Sequence, residues 1–390
     1  MENKYIYFTN AMDNDSFKEY LEGWSVSPNL SNQNFHNKLI RSLALSHDID
    51  VISVRAINRR YKYKKLEAKI IREGNIFWKY PLVTRNRISK YFKLFKRVTD
   101  ITMQDSSLIF VDVLNFSLLR TAIKYRKKFK MPIIGICTDS PYNISFGKKK
   151  LTKKLVELGQ TLDGYIVLTK KLNELYNVNK KPFICIDGVS EIPSKYLEPK
   201  INGDYIYFGG SLMKKYGLLN LIEAFKKLER SDLKLIICGH HLEKERLYPA
   251  IDGYNNIIYL GPISYAENLS LEKYSILAVN PRPIDPKIDQ YSIPSKTLEY
   301  LANGCLTITV ENELLKEHYG PCIIWAKTGD VEDLYEAMKK ALEIRRTDRE
   351  ILSILGKNKV MQYTSLESIN HQIDEELLAK MFLNQWCHFS

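Results

Sequence analysis

Between Asp204 and Val310, short apolar runs alternate with amphipathic stretches, and this alternation narrows the folds open to the chain more than any other feature. Asp204–Leu228 reads as a strand, a glycine-bearing loop and an amphipathic helix. Leu233–Gly239, Asn256–Gly261 and Ser275–Asn280 read as three further strands separated by helical stretches. Strands this uniformly apolar and β-branched imply a parallel sheet covered on both faces by helices. Ligands of such sheets bind at the carboxyl ends of the strands. Gly209, Gly210, Gly239, Gly261 and a helix start at Pro294 all fall at such ends, so one crevice can gather them.

The segment Tyr291–Val310 predicts a helix from Pro294 to about Asn303, a stop at Gly304 and a β-branched strand. Proline suits a first helical turn because its missing N–H would have no intrahelical partner there. The amides of Ser295, Lys296 and Thr297 would then face outward, where the helix dipole favours an anion. Lys296 adds a full positive charge, and Glu299 follows one turn later. These groups suit a phosphate ester joined to a polyhydroxyl group. An ordinary capped helix of an α/β domain fits the segment equally well when it is taken alone.

Four motifs in order carry a resemblance: Gly-Ser-Leu-x-x-x-Tyr-Gly from Gly210 to Gly217, Ile222-Glu-Ala-Phe, Asn280-Pro-Arg-Pro, and Pro294-Ser-Lys-Thr-Leu-Glu-Tyr-Leu-Ala-x-Gly304. Together they resemble the donor half of family 4 (GT-B) glycosyltransferases, and more narrowly the capsule and surface-polysaccharide branch. The resemblance is strong over roughly residues 203–330 and continues weakly through most of the chain. It implies an α/β chain of the GT-B kind, two Rossmann-like domains whose parallel sheets face across a cleft. Residues 1–190 would bind the acceptor and 203–360 the nucleotide-sugar donor, with 190–203 as linker. A C-terminal helix over about 365–385 would pack back on the first domain.

The resemblance also implies the site. Gly210, Ser211, Lys214, Tyr216, Gly239, His240, Ile263, Tyr291, Ser295, Lys296, Thr297 and Glu299 become donor-binding candidates. Glu299 is similar to the second glutamate of the family's paired-Glu signature, which holds the ribose hydroxyls. Tyr291 stands where the first glutamate would be, so the usual partner of the donor-sugar hydroxyls is missing. Ser211 and Tyr216 stand where the family has an Arg and a Lys that counter the diphosphate. Lys214, Lys215, Arg282 and Lys296 are available substitutes. Asp139, Lys215 and Arg282 are the candidate catalytic residues.

At 390 residues and 45% apolar content the chain suits two globular domains. No apolar run approaches the length of a membrane span, and the start reads as a first strand rather than a signal peptide. Cysteines 137, 185, 238, 305, 322 and 387 form no CxxC, which fits buried, reduced thiols in a cytoplasmic protein. The seven histidines show no metal-ligand spacing.

The charge is concentrated in one place. Residues 55–98 carry fifteen Lys and Arg against Glu67 and Glu73, an excess equal to the +13 of the whole chain. Interleaved with them are Ile76, Phe77, Trp78, Tyr80, Ile88, Tyr91, Phe92, Leu94 and Phe95. A basic, aromatic-rich segment suits an anionic membrane surface or a nucleic-acid backbone. A solvated lysine-rich face is the plain alternative. Since no nucleic-acid module accompanies the segment, the membrane reading is preferred, with the protein cytoplasmic and peripheral to the inner face of the cell membrane.

The N-terminal half predicts strands near 4–9, 49–54, 107–112, 132–137, 164–168 and 183–187, with helices over Asn32–His47 and Leu114–Phe129. A long loop, Asn10–Leu30, follows the first strand. Asp13-x-Asp15 and Asp48-x-Asp50 match a short metal-binding pattern that is common by chance, so no metal is expected. Asp139 ends a strand, where it can either bind a sugar hydroxyl or cap the next turn. His36 on its helix reads as structural, while His240 or His241 at a strand end can reach a nucleotide.

The expected function is a retaining transfer of a sugar from a nucleoside-diphosphate donor, a UDP-sugar, to a lipid-linked saccharide in surface polysaccharide synthesis, with no cofactor. The alternatives left open are a protein acceptor, a non-catalytic partner of a transferase, a nucleic-acid binder built on residues 55–98, and an epimerase on the same fold.

Overall fold

The computed structural model describes residues 4–24, 30–85, 94–99, 106–144, 149–198, 201–239 and 244–386. Two compact units make up the chain. Residues 1–189, 290–292 and 364–390 form the first, and residues 190–289 and 293–363 the second.

The strands of the first unit are β1 (Lys4–Thr9), β2 (Asp48–Ser53), β3 (Lys65–Leu66), β4 (Lys69–Glu73), β5 (Ile76–Tyr80), β6 (Val83–Thr84), β7 (Leu108–Asp112), β8 (Ile133–Cys137), β9 (Gly164–Val167) and β10 (Phe183–Cys185). Eight of them form one sheet in the order β10-β9-β8-β7-β1-β2-β5-β4, while β3 and β6 pair separately. All neighbours in the sheet are parallel except the edge pair β4–β5. β7 and β8 are buried along their whole length, as their apolar sequences require, with Asp112 the one charged residue among them. The C-terminal segment joins this core through Ile369, Ile373, Leu377 and Leu378, and Ser42 Oγ donates to the Leu366 carbonyl at 2.7 Å.

Three features of this unit differ from the sequence expectation. Asn14–Glu22 is a helix within the expected loop, N-capped by Asp13, whose carboxylate accepts from the Ser16 amide at 2.8 Å and from Tyr80 Oη at 2.5 Å. The basic stretch supplies strands β4 and β5, so it is not one continuous surface. Trp78, Tyr80 and Leu94 belong to the core, Lys79 Nζ pairs with buried Asp50 at 2.7 Å, and Arg55 lies buried 4.8 Å over the Tyr80 ring. Sheet pairing takes these side chains inward, while Arg59, Arg60, Lys62, Lys64, Lys65 and Arg72 remain exposed. Ile88, Tyr91 and Phe92 lie outside the described residues. Finally, Cys185 is exposed because β10 ends the sheet, unlike buried Cys137, Cys238, Cys305 and Cys322; Cys387 lies outside the described residues.

The second unit contains β11 (Tyr205–Gly209), β12 (Lys234–Cys238), β13 (Ile257–Gly261), β14 (Leu277–Asn280), β15 (Thr307–Val310) and β16 (Ile323–Ala326). They form an all-parallel sheet in the order β13-β12-β11-β14-β15-β16. Successive side chains of a strand point to opposite faces, and both faces here are apolar. Ile206, Phe208, Leu235 and Ile237 pack with Leu221, Phe225, Leu334 and Met338 on one side. Tyr205, Tyr207, Ile236 and Ala278 meet Leu271 and Tyr300 on the other. Each such buried aliphatic side chain contributes about 1.5–3 kcal/mol. The chain order reverses between β11 and β14, the switch point at which such a sheet opens a crevice.

Candidate active site

The carboxyl ends of β11 and β12 touch backbone to backbone. Gly210 (φ 138°) and Gly239 (φ 137°) both occupy conformations that a side chain resists. A Cβ added at Gly239 would lie 1.7 Å from the Gly210 carbonyl oxygen. One added at Gly210 would lie 1.7 Å from Lys296 Nζ. The lysine ammonium therefore rests directly on the glycine loop, 4.6 Å from the Phe208 ring centroid and 5.6 Å from that of Tyr216.

Lys296 is carried there by the helix Ser295–Ala302. Asn280 at the end of β14 donates from Nδ2 to Thr297 Oγ1 at 3.0 Å, and Thr297 Oγ1 also meets Thr309 Oγ1 of β15 at 3.2 Å. At the other side, the Gly209 amide donates to Tyr300 Oη at 3.1 Å. These three bonds pin the helix start over the strand ends. The Thr297 amide donates to the Pro294 carbonyl at 3.0 Å, so the outward amides are those of Ser295 and Lys296 rather than all three. Thr297 thus holds the helix in place.

Removal from water, opposed by Glu299 and Glu272 and assisted by nearby Arg282, brings Lys296 from 10.5 to about 8. Arg282 is itself held by Asp289 at 2.5 Å. Lys214 and Lys215 are exposed on the turn Lys214–Tyr216, with Lys215 Nζ 5.1 Å from the Tyr216 ring. Of the four candidate cations, Lys296 lies against the glycine loop, Arg282 is within its electrostatic reach, and Lys214 and Lys215 are exposed to solvent.

Glu299 sits one turn along the same helix as Lys296. Its Oε1 accepts from Asn268 Nδ2 at 3.1 Å, and the same amide donates to Glu272 Oε1 at 2.6 Å. Glu272 is fully buried and accepts from Asn303 Nδ2 at 2.6 Å through its other oxygen. Burial first, then the neighbouring Glu299 charge, pushes the Glu272 carboxyl well above the usual carboxylate range. The helix bearing Asn268 and Glu272, Tyr265–Tyr274, starts at a capping box formed by Ser264 and Glu267. Nothing in the sequence reading singled out Asn268, Glu272 or Asn303. The available signal was Asn268-x-x-x-Glu272, two polar residues on one face of a helix that a doubly covered sheet must bury.

Ser211 is half-buried beside Gly210, and Ile263 packs against the tyrosine-lined face of the sheet. Tyr291 clusters with the first unit and packs against its core. Asp139 accepts from the Ser140 amide at 2.6 Å and Asn143 Nδ2 at 3.3 Å, the geometry of a turn cap. His36 is buried, its Nδ1 2.6 Å from Tyr7 Oη and its Nε2 3.6 Å from Asp112, and burial lowers its pKa. Asp13 is committed to its helix cap and Asp50 to Lys79. His240 and His241 lie outside the described residues.

Residues 192–359 match the family model described as glycosyl transferases group 1. No curated protein sequence matches the chain. Among solved structures, the chain is similar to sucrose-phosphate synthase from Thermosynechococcus elongatus, at 13% identity and TM-score 0.66, covering 98% of this chain and 100% of that one. An α,α-trehalose-phosphate synthase (UDP-forming) from Burkholderia vietnamiensis is similar at 12% identity and TM-score 0.68, covering 98% and 100%. Anabaena HepE, solved in complex with UDP-glucose, is similar at 14% identity and TM-score 0.65, covering 96% and 99%. The family match spans the unit that holds Gly210, Lys296 and Glu299, and over almost its full length the chain shares the GT-B fold of these glycosyltransferases.

Proposed function

We propose that the protein moves a sugar from a nucleoside-diphosphate donor, a UDP-sugar, to a lipid-linked saccharide, with retention of anomeric configuration and without a metal. The observation that carries the donor reading is the Lys296 ammonium lying against the Gly210 backbone at a helix start. As the glycosidic C–O bond breaks, negative charge builds on the departing diphosphate. Donors and cations fixed in advance stabilise that charge without having to reorganise. The Ser295 and Lys296 amides and the Lys296 ammonium serve here, with Arg282 as a second cation. Glu299 accepts hydrogen bonds from the ribose hydroxyls. HepE, with its UDP-glucose complex, supports uridine as the base.

For the acceptor, the basic residues Arg59, Arg60, Lys62, Lys64, Lys65 and Arg72 remain exposed, and such charges suit anionic lipid. Among the described residues no helix is long and apolar enough to cross a membrane, so docking would be peripheral. The test is a transfer assay with labelled UDP-sugars and a membrane extract as acceptor, with and without EDTA, the product anomer being read by NMR. Inverted product, loss of activity in EDTA restored by manganese, or transfer only to protein would each overturn its part of the reading. Donor binding with neither hydrolysis nor transfer would favour a non-catalytic partner.

A further inference from the structure

One amide nitrogen, Asn268 Nδ2, lies within hydrogen-bond distance of both the Glu272 and the Glu299 carboxyl groups, and with Glu272 buried such a pair costs least when one acid carries a proton. We propose that Glu272 is a neutral acid acting as a positioning residue: its O–H and the Asn268 amide together aim the Glu299 carboxylate at the donor ribose. This rests on the reading of Glu299 given above.

The surrounding bonds account for each atom. Asn268 Nδ2 bridges both carboxyls, at 2.6 Å to Glu272 and 3.1 Å to Glu299. Asn268 is held in that orientation because its Oδ1 accepts from Tyr207 Oη at 2.7 Å. Asn303 Nδ2 donates to Glu272 at 2.6 Å, and its own Oδ1 accepts from Tyr196 Oη at 2.8 Å. Both Glu272 oxygens thus already accept an amide N–H, and the proton of a neutral Glu272 is left to face Glu299, the carboxyl that shares Asn268 with it. The charged groups facing Glu272 are Glu299 and Lys296. The other titratable neighbours are the phenols of Tyr196, Tyr207, Tyr265 and Tyr300 and the thiols of Cys238 and Cys305. Burial holds each of these six in its neutral form by raising its pKa. Glu272 is therefore the neighbour able to supply the proton without leaving an unpaired buried anion. Glu299 is then the acceptor of the pair, held by the Asn268 amide.

A neutral acid is mimicked by its amide. In Glu272→Gln the side-chain NH₂ donates to Glu299, the carbonyl still accepts from Asn268, and Asn303 flips to accept the second hydrogen. Calorimetry with UDP and 2′-deoxy-UDP on the full chain reads the ribose contact. Wild type and Glu272→Gln are expected to prefer UDP over the deoxy nucleotide equally, while Glu272→Met loses that preference, as does Glu299→Ala. An unchanged preference in Glu299→Ala overturns the ribose reading itself. If Glu299→Ala loses the preference but Glu272→Met keeps it, only the positioning role is overturned. If Glu272→Gln loses it by about tenfold or more, Glu272 acts as an anion and the neutral acid is overturned. Thermal unfolding supplies an arm that needs no nucleotide. A group neutral when folded and ionised when unfolded loses stability as pH rises above the ordinary glutamate value. Wild type must therefore fall relative to Glu272→Gln as pH rises from about 5 to 8, and parallel curves would overturn the assignment.

Discussion

Replacing Lys296 by methionine should make the protein more stable and worse at its task. The fall of the ammonium from 10.5 to about 8 on folding corresponds to roughly 3 kcal/mol at about 1.4 kcal/mol per pH unit. The side chain keeps partial access to solvent, so a gain of about 1–3 kcal/mol is expected at neutral pH. Methionine retains the apolar contact with Phe208 and Tyr216 and introduces no branch. The sign follows from proton binding. Unfolded, Lys296 keeps its proton up to about pH 10.5, whereas folded it releases it near pH 8. The cost of confining the charge is therefore complete below pH 8 and is relieved between about pH 8 and 10.5. Thermal unfolding of wild type and Lys296→Met should show the variant several degrees more stable near neutrality, with the gap closing at alkaline pH. UDP binding by calorimetry should weaken roughly 10–150-fold, the loss expected for a charge-assisted contact of about 1.5–3 kcal/mol. A variant that melts below wild type at neutral pH, or a gap that ignores pH, would refute the argument that this charge is held against its own solvation.

Glu299→Ala should weaken UDP binding by roughly 10–150-fold while leaving the melting temperature of the second unit near wild type; calorimetry beside a thermal scan checks both. Gly239→Ala should cost at least about 2 kcal/mol of stability, since its Cβ would meet the Gly210 carbonyl and its φ is positive; a melt within a degree of wild type would contradict the backbone contact. Vesicles of anionic lipid should co-sediment the protein and neutral ones should not, with binding lost at high salt. Reversing Arg59, Arg60 and Lys62 to Glu should abolish that binding, at about 1 kcal/mol per basic residue.

The parallel sheets were legible because their strands are written almost wholly in Ile, Leu, Val, Tyr and Phe, from Tyr205–Gly209 to Thr307–Val310. The glycine turns and the helix start after Pro294 were legible for a similar reason, since glycine and a Pro-started helix are local signals. β4 and β5 escaped because Lys69, Arg72 and Lys79 mask their apolar partners, and the ion pair that makes Lys79 acceptable inside comes from Asp50, far away in the chain. Glu272 escaped for the converse reason. A glutamate in a helix reads as solvated until the packing shows that Asn268 and Asn303 receive it. The inward use of Thr297 was equally hidden, since its partners Asn280 and Thr309 lie on other strands.

The meeting of Gly210, Gly239 and Lys296 has a consequence for how this protein can change. At the two glycines any side chain meets a backbone carbonyl or the ammonium, so the loops there have almost no room for mutational drift. Compensating for one change would require moving the others together. Change in this region therefore has to leave both glycines in place. A randomised library at Gly210 or Gly239 would return mostly misfolded protein.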